Sequence, residues 1–298
     1  MRFIHQETDW PNFKWDAHSL SPLLAEVRNT QGRLLGRMDG LGIPLRAQAT
    51  LTTLTADVTK SSAIEGEFLN QEQVRSSIAR KLGLEIAGMV SSSRDIDGVV
   101  EMMLDATQNF QKPLTADRLF AWQAALFPTG RSGMVKISVG SWRNAGSGPM
   151  QVVSGAIGRE RVHFEAPSAE RLSTEMNRFL LWLEKDQGLD PVLKAGIAHF
   201  WFVTIHPFED GNGRIGRAIA DLLLARSDGM SERFYSLSSQ IEKERKAYYE
   251  KLEACQRGPL DITLWLKWFL ECFGRALKGA EGLLEQVLRK ARLWDRVN

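Results

Sequence analysis

From His206 to Arg217 the chain reads HPFEDGNGRIGR, twelve residues that gather a histidine, an aspartate, a Gly-Asn-Gly turn and two arginines. Gly211, Asn212 and Gly213 let the backbone turn sharply and approach a ligand closely. The run that follows, RIGRAIADLLLARS, has the spacing of an amphipathic helix. Its first amides and its dipole face the same turn, an arrangement that favours a bound anion. Arg214 and Arg217 are three apart and share one face of the first turns. Two guanidiniums beside an amide nest suit a di- or triphosphate. Asp210 offers a hard oxygen of the kind that holds Mg2+ where the metal bridges substrate phosphates. His206 precedes the nest and can act as a general base near neutral pH, and Phe208 between them reads as an inward anchor for the loop.

Each feature alone has an ordinary reading as a turn, a packed histidine or a solvated face. Their concentration in one short segment points to transfer of a phosphorus group, where positioning and charge neutralisation carry most of the catalysis. The segment is not a P-loop, because GxxxxGK(S/T) is absent. A helix rather than a strand precedes GNGRIG, so it is not a dinucleotide fingerprint either.

The elements that must position these groups are mostly helical. SPLLAEVRNTQGRLLGRMDGL carries leucines at helical spacing. A second helix is expected over about 45–64, closed by Gly66, and Asn70 can cap a third, with Gln73 as reciprocal partner. RDIDGVVEMMLDATQNF is another amphipathic segment, ended by the turn at Gln111 to Pro113, and Thr115 opens the next helix; a domain boundary is placed near here. The stretch from Met134 to Pro167 is rich in Gly, Ser and Val, and two β-branched runs around Gly155 to Arg159 suggest a β-hairpin. Asp190 and Pro191 make an N-cap and first-turn proline for the helix GIAHFWFVT, which delivers the chain to His206.

Bulk properties exclude several classes. The 298 residues are 43% hydrophobic and 25% charged, enough for one large domain or two medium ones. A net charge of +2 gives no bulk attraction for nucleic acid or a membrane surface. No apolar run approaches the length of a membrane span, and the N-terminus has no secretory pattern, so the chain reads as cytoplasmic. Cys255 and Cys272 are too few and too far apart for a disulfide framework or a zinc site.

At His206, Phe208, Asp210, Gly211, Asn212, Gly213, Arg214 and Arg217 the sequence matches every fixed position of HxFx(D/E)GNGRxxR, and so resembles the Fic family. The resemblance implies a mainly α fold: a helical bundle with a small β-hairpin flap, spanning 114–273, preceded by a helical N-terminal domain (1–113) and followed by a C-terminal helix (274–298). It implies transfer of AMP from ATP to a Ser, Thr or Tyr hydroxyl of a protein, with His206 as base and Asp210 on Mg2+. The backbone of Gly211, Asn212 and Gly213 would cradle the α- and β-phosphates, Arg214 would contact the β-phosphate region and Arg217 the γ-phosphate, with Ile215 and Gly216 also in the nucleotide-binding set. Val152, Val153, Ser154 and Gly155 resemble the flap bordering the nucleotide. Tyr248 and Tyr249 match an aromatic pair near the adenine, with Gln256 a weaker candidate; Tyr249 reads equally well as part of a packed helix face. The segment WPNFKWD and the helices after it resemble an extra domain of a bacterial subgroup. Members of that subgroup often continue into a winged-helix module, which is not evident in this sequence. A homodimer is implied by the resemblance alone.

Ser61, Glu65 and Gly66 in KSSAIEGEF match the family's inhibitory pattern (S/T)xxxE(G/N). A glutamate can supply Arg217 with an ion pair where a γ-phosphate would sit. The plain alternative is that Glu65 and Glu67 are polar residues at a helix end. His199, seven residues before His206, reads as a core histidine, because no third metal ligand has suitable spacing. His163 reads as part of the flap or its packing, Arg143 as a candidate for orienting the flap, and Trp265, Trp268 and Phe269 as core. Within the same chemistry, transfer of UMP or phosphate and removal of AMP from a modified protein stay open. A nucleotide-binding regulatory switch is the reading from a different class.

Overall fold

A computed structural model describes residues 2–154 and 161–297. The described residues form eleven α-helices and two antiparallel hairpins, the mainly α architecture expected. In chain order the helices are α1 (Ala17–Asp39), α2 (Ile43–Ile64), α3 (Gln71–Leu82), α4 (Arg94–Gln108), α5 (Ala116–Leu126), α6 (Leu172–Glu184), α7 (Pro191–Ile205), α8 (Asn212–Asp228), α9 (Leu237–Lys243), α10 (Arg245–Gln256) and α11 (Thr263–Val297). Between α5 and α6 lie the hairpins β1–β2 (Arg131–Ser132, Val135–Lys136) and β3–β4 (Gln151–Ser154, Arg161–Glu165).

The helix starts follow from local chemistry. The side chains of Asn70, Thr115 and Asp190 each accept a hydrogen bond from an amide of the first turn that follows. Asn70 does so at Gln73 N. Gly83 and Gly229 close α3 and α8 in the left-handed conformation.

The centre is the α7–α8 pair. Almost every residue of GIAHFWFVTI and of NGRIGRAIADLLLA is buried, as expected of helices covered on all sides. Gly216 makes the close approach workable, since a Cβ there would stand 2.7 Å from Val203 Cγ1. Around this pair α1 packs on α11, α2 on α9 and α4 on both α5 and α8. One continuous apolar core therefore takes in residues from Ile4 to Leu277. A boundary drawn at 273/274 falls inside a single helix: α11 runs unbroken through Phe273 and Gly274.

A buried ionic group fixes α2 against α8 and α9. Arg233, with no exposure, pairs with Asp221 at 2.8 Å and Asp228 at 3.2 Å. Asp57 on α2 accepts from Ser236 Oγ at 2.5 Å and lies close enough to Asp221 for their charges to interact. Burial and the Asp221 charge raise the Asp57 carboxyl well above the usual range. This anchor sits two turns before the C-terminal end of α2, which carries Ser61 and delivers Glu65.

Candidate active site

α7 ends at His206, which adopts φ 52, the one non-glycine positive φ among the described residues. That conformation costs about 1–2 kcal/mol and is held by Arg143, a buried residue. Its Nε donates to His206 O at 2.8 Å, its amide donates to Pro207 O at 2.9 Å, and its Nη2 donates to Pro167 O. Arg143 thus ties the loop to the end of β4, a firmer role than orienting the flap. His206 Nδ1 faces Val203 O at 3.2 Å. A carbonyl accepts only, so Nδ1 carries the proton and Nε2 the lone pair. Burial, with the Arg143 charge adding to it, lowers the imidazole below the ordinary histidine value despite that hydrogen bond. His206 is therefore a neutral base at pH 7.

The loop is locked from below. Phe208 is fully buried against Trp142, Phe120 and Phe202. Asn212 Oδ1 accepts from Phe208 N at 2.9 Å, and its Nδ2 donates to Phe208 O at 2.8 Å. The sequence pattern points to the backbone of Asn212 and gives no sign of this side-chain bracket. Gly211 has φ 88, and a Cβ there would press on Phe127 and Leu126 at 3.0 and 3.1 Å. Asp210 accepts from Gly211 N at 2.6 Å through Oδ1 and from Ser132 Oγ through Oδ2. The β1–β2 hairpin, which the sequence pattern did not reveal, thus borders the carboxylate.

At the N-terminus of α8 lies the anion position, and Glu65 fills it. A Cβ on Gly213 would stand 2.0 Å from Glu65 Oε1, so the carboxylate rests directly on the bare backbone of the nest. Glu65 Oε1 pairs with Arg217 Nη2 at 2.8 Å; Arg217 is 1% exposed and the Glu65 side chain 31%. Arg217 also donates from Nε to Ser61 Oγ at 2.9 Å and from Nη2 to Ser61 O at 2.8 Å. Gly66 takes φ 86 just after Glu65. Arg214 is likewise buried. Its Nη1 meets Glu67 Oε2 at 2.6 Å, and its guanidinium lies 5.1 Å from the Phe127 ring. Burial raises the Glu67 carboxyl, against the pull of Arg214. Both arginines thus carry a glutamate from one short segment. In the sequence the only trace of this is two acids two residues apart, at Glu65 and Glu67, and two arginines three apart, at Arg214 and Arg217.

Other expected contacts lie elsewhere. Ile215 and Gly216, expected in the nucleotide-binding set, face the core: Ile215 has no exposure and its amide bonds Gly211 O, while Gly216 packs on Val203. Helical rotation turns them away from the nest. Tyr248 is 2% exposed, its hydroxyl 2.9 Å from His199 Nε2, among Trp265 and Trp268, and it stands against Arg217. His199 is a core histidine, pushed down to about 3 by burial and the Arg217 charge. Gln256 is buried and donates to Thr204 Oγ1 at 3.2 Å. Tyr249 is 37% exposed, and its hydroxyl reaches Ile64 O at 3.5 Å, at the rim beside Glu65. In the β3–β4 hairpin Val152 pairs with Phe164, Val153 with Val162 and Ser154 with Arg161; Gly155 lies outside the described residues. A cavity of about 640 Å³ walled by Trp10, Phe13, Trp15, Trp182 and Trp201 shares no residue with the motif.

Residues 113–224 match the Fic/DOC family. That stretch, which carries the His206–Arg217 motif, resembles a Fic domain. Residues 3–84 match a domain of unknown function, DUF4172. The chain is 34% identical over 113 residues to the protein adenylyltransferase Fic of Culex quinquefasciatus and, equally, to that of Aedes aegypti, over 37% of this chain and 21% of each relative. It thus spans about a fifth of the length of the curated relatives it matches. A Fic family protein from Desulfovibrio desulfuricans G20 is 25% identical with a TM-score of 0.64, covering 95% of this chain and 77% of that one. A Fic domain containing signaling protein from Bacteroides thetaiotaomicron VPI-5482 shares the fold at 22% identity and a TM-score of 0.60, over 86% and 95% of the two chains. Among the described residues no helix is long and apolar enough to cross a membrane.

Proposed function

We propose that this chain is a Fic protein adenylyltransferase, moving AMP from ATP to a Ser, Thr or Tyr hydroxyl of a protein, and that Glu65 holds it inhibited. The observation that carries the reading is the set at the start of α8: a bare backbone nest, two buried arginines, and a neutral histidine beside them. His206 Nε2 takes the proton of the attacking hydroxyl. The bond from that oxygen to the α-phosphorus forms as the bridge to the β-phosphate breaks, and pyrophosphate leaves. The α8 amides, Arg214 and Arg217 neutralise the leaving charge. Asp210 would hold Mg2+, which supplies further neutralisation of the phosphates. A lone half-buried carboxylate suits a metal bound chiefly through substrate phosphates and water. Among the described residues no cluster of three His, Cys, Asp or Glu is placed to hold a metal.

Inhibition follows from the same contacts. While Glu65 lies on Gly213 and Arg217, the γ-phosphate has neither its cation nor its space, so ATP is denied the pose for in-line attack. The test is to incubate the Glu65→Gly variant with a cell lysate and ATP labelled at either the α or the γ position. Retained α label supports AMP transfer. Retained γ label assigns phosphate transfer instead. Loss of AMP from a previously modified protein, with neither label retained, assigns the removal reaction.

A further inference from the structure

A cavity lies away from the motif, and the segment WPNFKWD builds one side of it. It holds about 640 Å³ between that segment, α6, the turn after α6, and α7, a size in the ordinary range of small-molecule sites. Trp201 of α7, 3% exposed, is its floor. Trp10, Phe13 and Trp182 stand across Trp201, with ring centres 6.4, 5.7 and 5.3 Å away and interplanar angles of 82, 83 and 61°. These rings form the sides of an aromatic box. Phe13, Trp15 and Trp182 are only half-buried, so the box opens to solvent. Packed interiors hold few voids of this size, and apolar surface gathered at one opening is the mark of a binding site rather than of a core.

A box of aromatic faces is the usual receptor for a cation, but the charges around this one have the wrong sign for that. Arg178 on α6 donates from Nη1 to Trp10 O at 3.2 Å, which holds the guanidinium at the edge of the box. Lys194 Nζ on α7 stands 5.6 Å from the centre of the Trp182 ring and donates to Lys185 O at 2.8 Å. Neither cation forms an ion pair among the described residues. Glu184 and Asp186 act on Lys194 only at longer range. Glu175, which accepts from Trp10 Nε1 at 2.9 Å, is already paired with Arg171. Arg178 is exposed, and its planar fork has donors beyond the one spent on that carbonyl. Bracing the N-terminal segment against α6 is achieved by Trp10 and Glu175; it requires neither an open box nor two cations without acids.

We propose that this cavity binds a small aromatic carboxylate, with its ring among the tryptophans above Trp201 and its carboxylate on Arg178. Ring edges meet the negative faces of the box, and the carboxylate takes paired hydrogen bonds from the guanidinium. Lys194 adds attraction of the same sign. The site is separate from the His206–Arg217 motif and does not rest on the transfer reaction.

The full chain is titrated with 2-naphthylacetate, its uncharged amide, benzyltrimethylammonium and decaproline, each followed by ligand-observed NMR, with circular dichroism confirming the fold of every variant. 2-Naphthylacetate is expected to bind at least ~10-fold more tightly than its amide, the lower end of what a hydrogen bond to a charged group contributes. Arg178→Gln should remove that difference and leave affinity for the amide unchanged, which a merely structural arginine would not do. Trp182→Leu should weaken acid and amide alike. Equal affinity for acid and amide, or a preference for the acid that persists in Arg178→Gln, overturns the anionic ligand class. Tighter binding of benzyltrimethylammonium overturns it in favour of a cation cage, and tighter binding of decaproline in favour of a proline-rich partner. Affinities unchanged in Trp182→Leu overturn the cavity as the place of binding. No binding of any probe at about 1 mM overturns the site itself. None of these measurements uses ATP, so each outcome leaves the reading of the motif as it stands.

Discussion

Replacing Glu65 by glycine should move two properties in opposite directions. Arg217 is 1% exposed and meets the Glu65 carboxylate at 2.8 Å, while the Glu65 side chain is 31% exposed. A hydrogen bond to a charged group contributes about 1.5–3 kcal/mol, and partial exposure of one partner places this pair near ~2 kcal/mol. Glu65 lies at the C-cap, beyond the last helical residue of α2, so glycine there costs little helix propensity. Without nucleotide the variant leaves a buried guanidinium short of its partner, and its Tm should fall by roughly 4 °C, at ~2 °C per kcal/mol for a chain of this size. With nucleotide the sign reverses, because ATP no longer displaces a carboxylate. About 2 kcal/mol corresponds to about 30-fold in affinity. Calorimetry with a non-transferable ATP analogue should therefore show about 30-fold tighter binding to Glu65→Gly, with Glu65→Gln in between. Binding within threefold of wild type, together with an unchanged Tm, would refute the competition between Glu65 and the γ-phosphate.

Four more outcomes are expected. Removing the base in Glu65→Gly/His206→Ala should lower transfer by ~10²–10⁴-fold. Because burial lowers the His206 imidazole, transfer by Glu65→Gly should stay flat as pH falls through 6.5, the ordinary histidine value; a rate that halves at 6.5 contradicts this. Glu67→Gln should tighten nucleotide binding by only a few-fold, since the Glu67 side chain is 45% exposed and solvent screens the pair; the gain should shrink in high salt. Asp57 has a folded-state value raised above 3.8, so its contribution is complete below that value and is lost as pH rises through the raised one. Asp57→Asn, mimicking the protonated form, should flatten the decline of Tm on the alkaline side, and a steeper decline would contradict the buried-proton account.

What the sequence revealed and what it hid follow one physical division. His206 to Arg217 could be read because the nest, the metal ligand and the arginines are close in the chain, and a helix N-terminus brings them together by itself. The helix starts at Asn70, Thr115 and Asp190 were legible because a cap is a contact over two or three residues. Glu67 with Arg214 and Ser132 with Asp210 were missed because 147 and 78 residues separate the partners, and only packing brings them together. Ile215 and Gly216 show the opposite case. Adjacency in the motif suggested contact, but a rotation of ~100° per residue carries them into the core. The break placed at 273/274 falls within one helix that serves several neighbours: α11 packs on α1, α7, α9 and α10.

The central claim is tested most directly by transfer of label from α-labelled ATP to protein, compared among wild type, Glu65→Gly and Glu65→Gly/His206→Ala. The account predicts strong label with Glu65→Gly alone, little with wild type, and none above background with the double variant. Equal label in wild type and Glu65→Gly would contradict the inhibitory role of Glu65, and label persisting in the double variant would contradict His206 as the base.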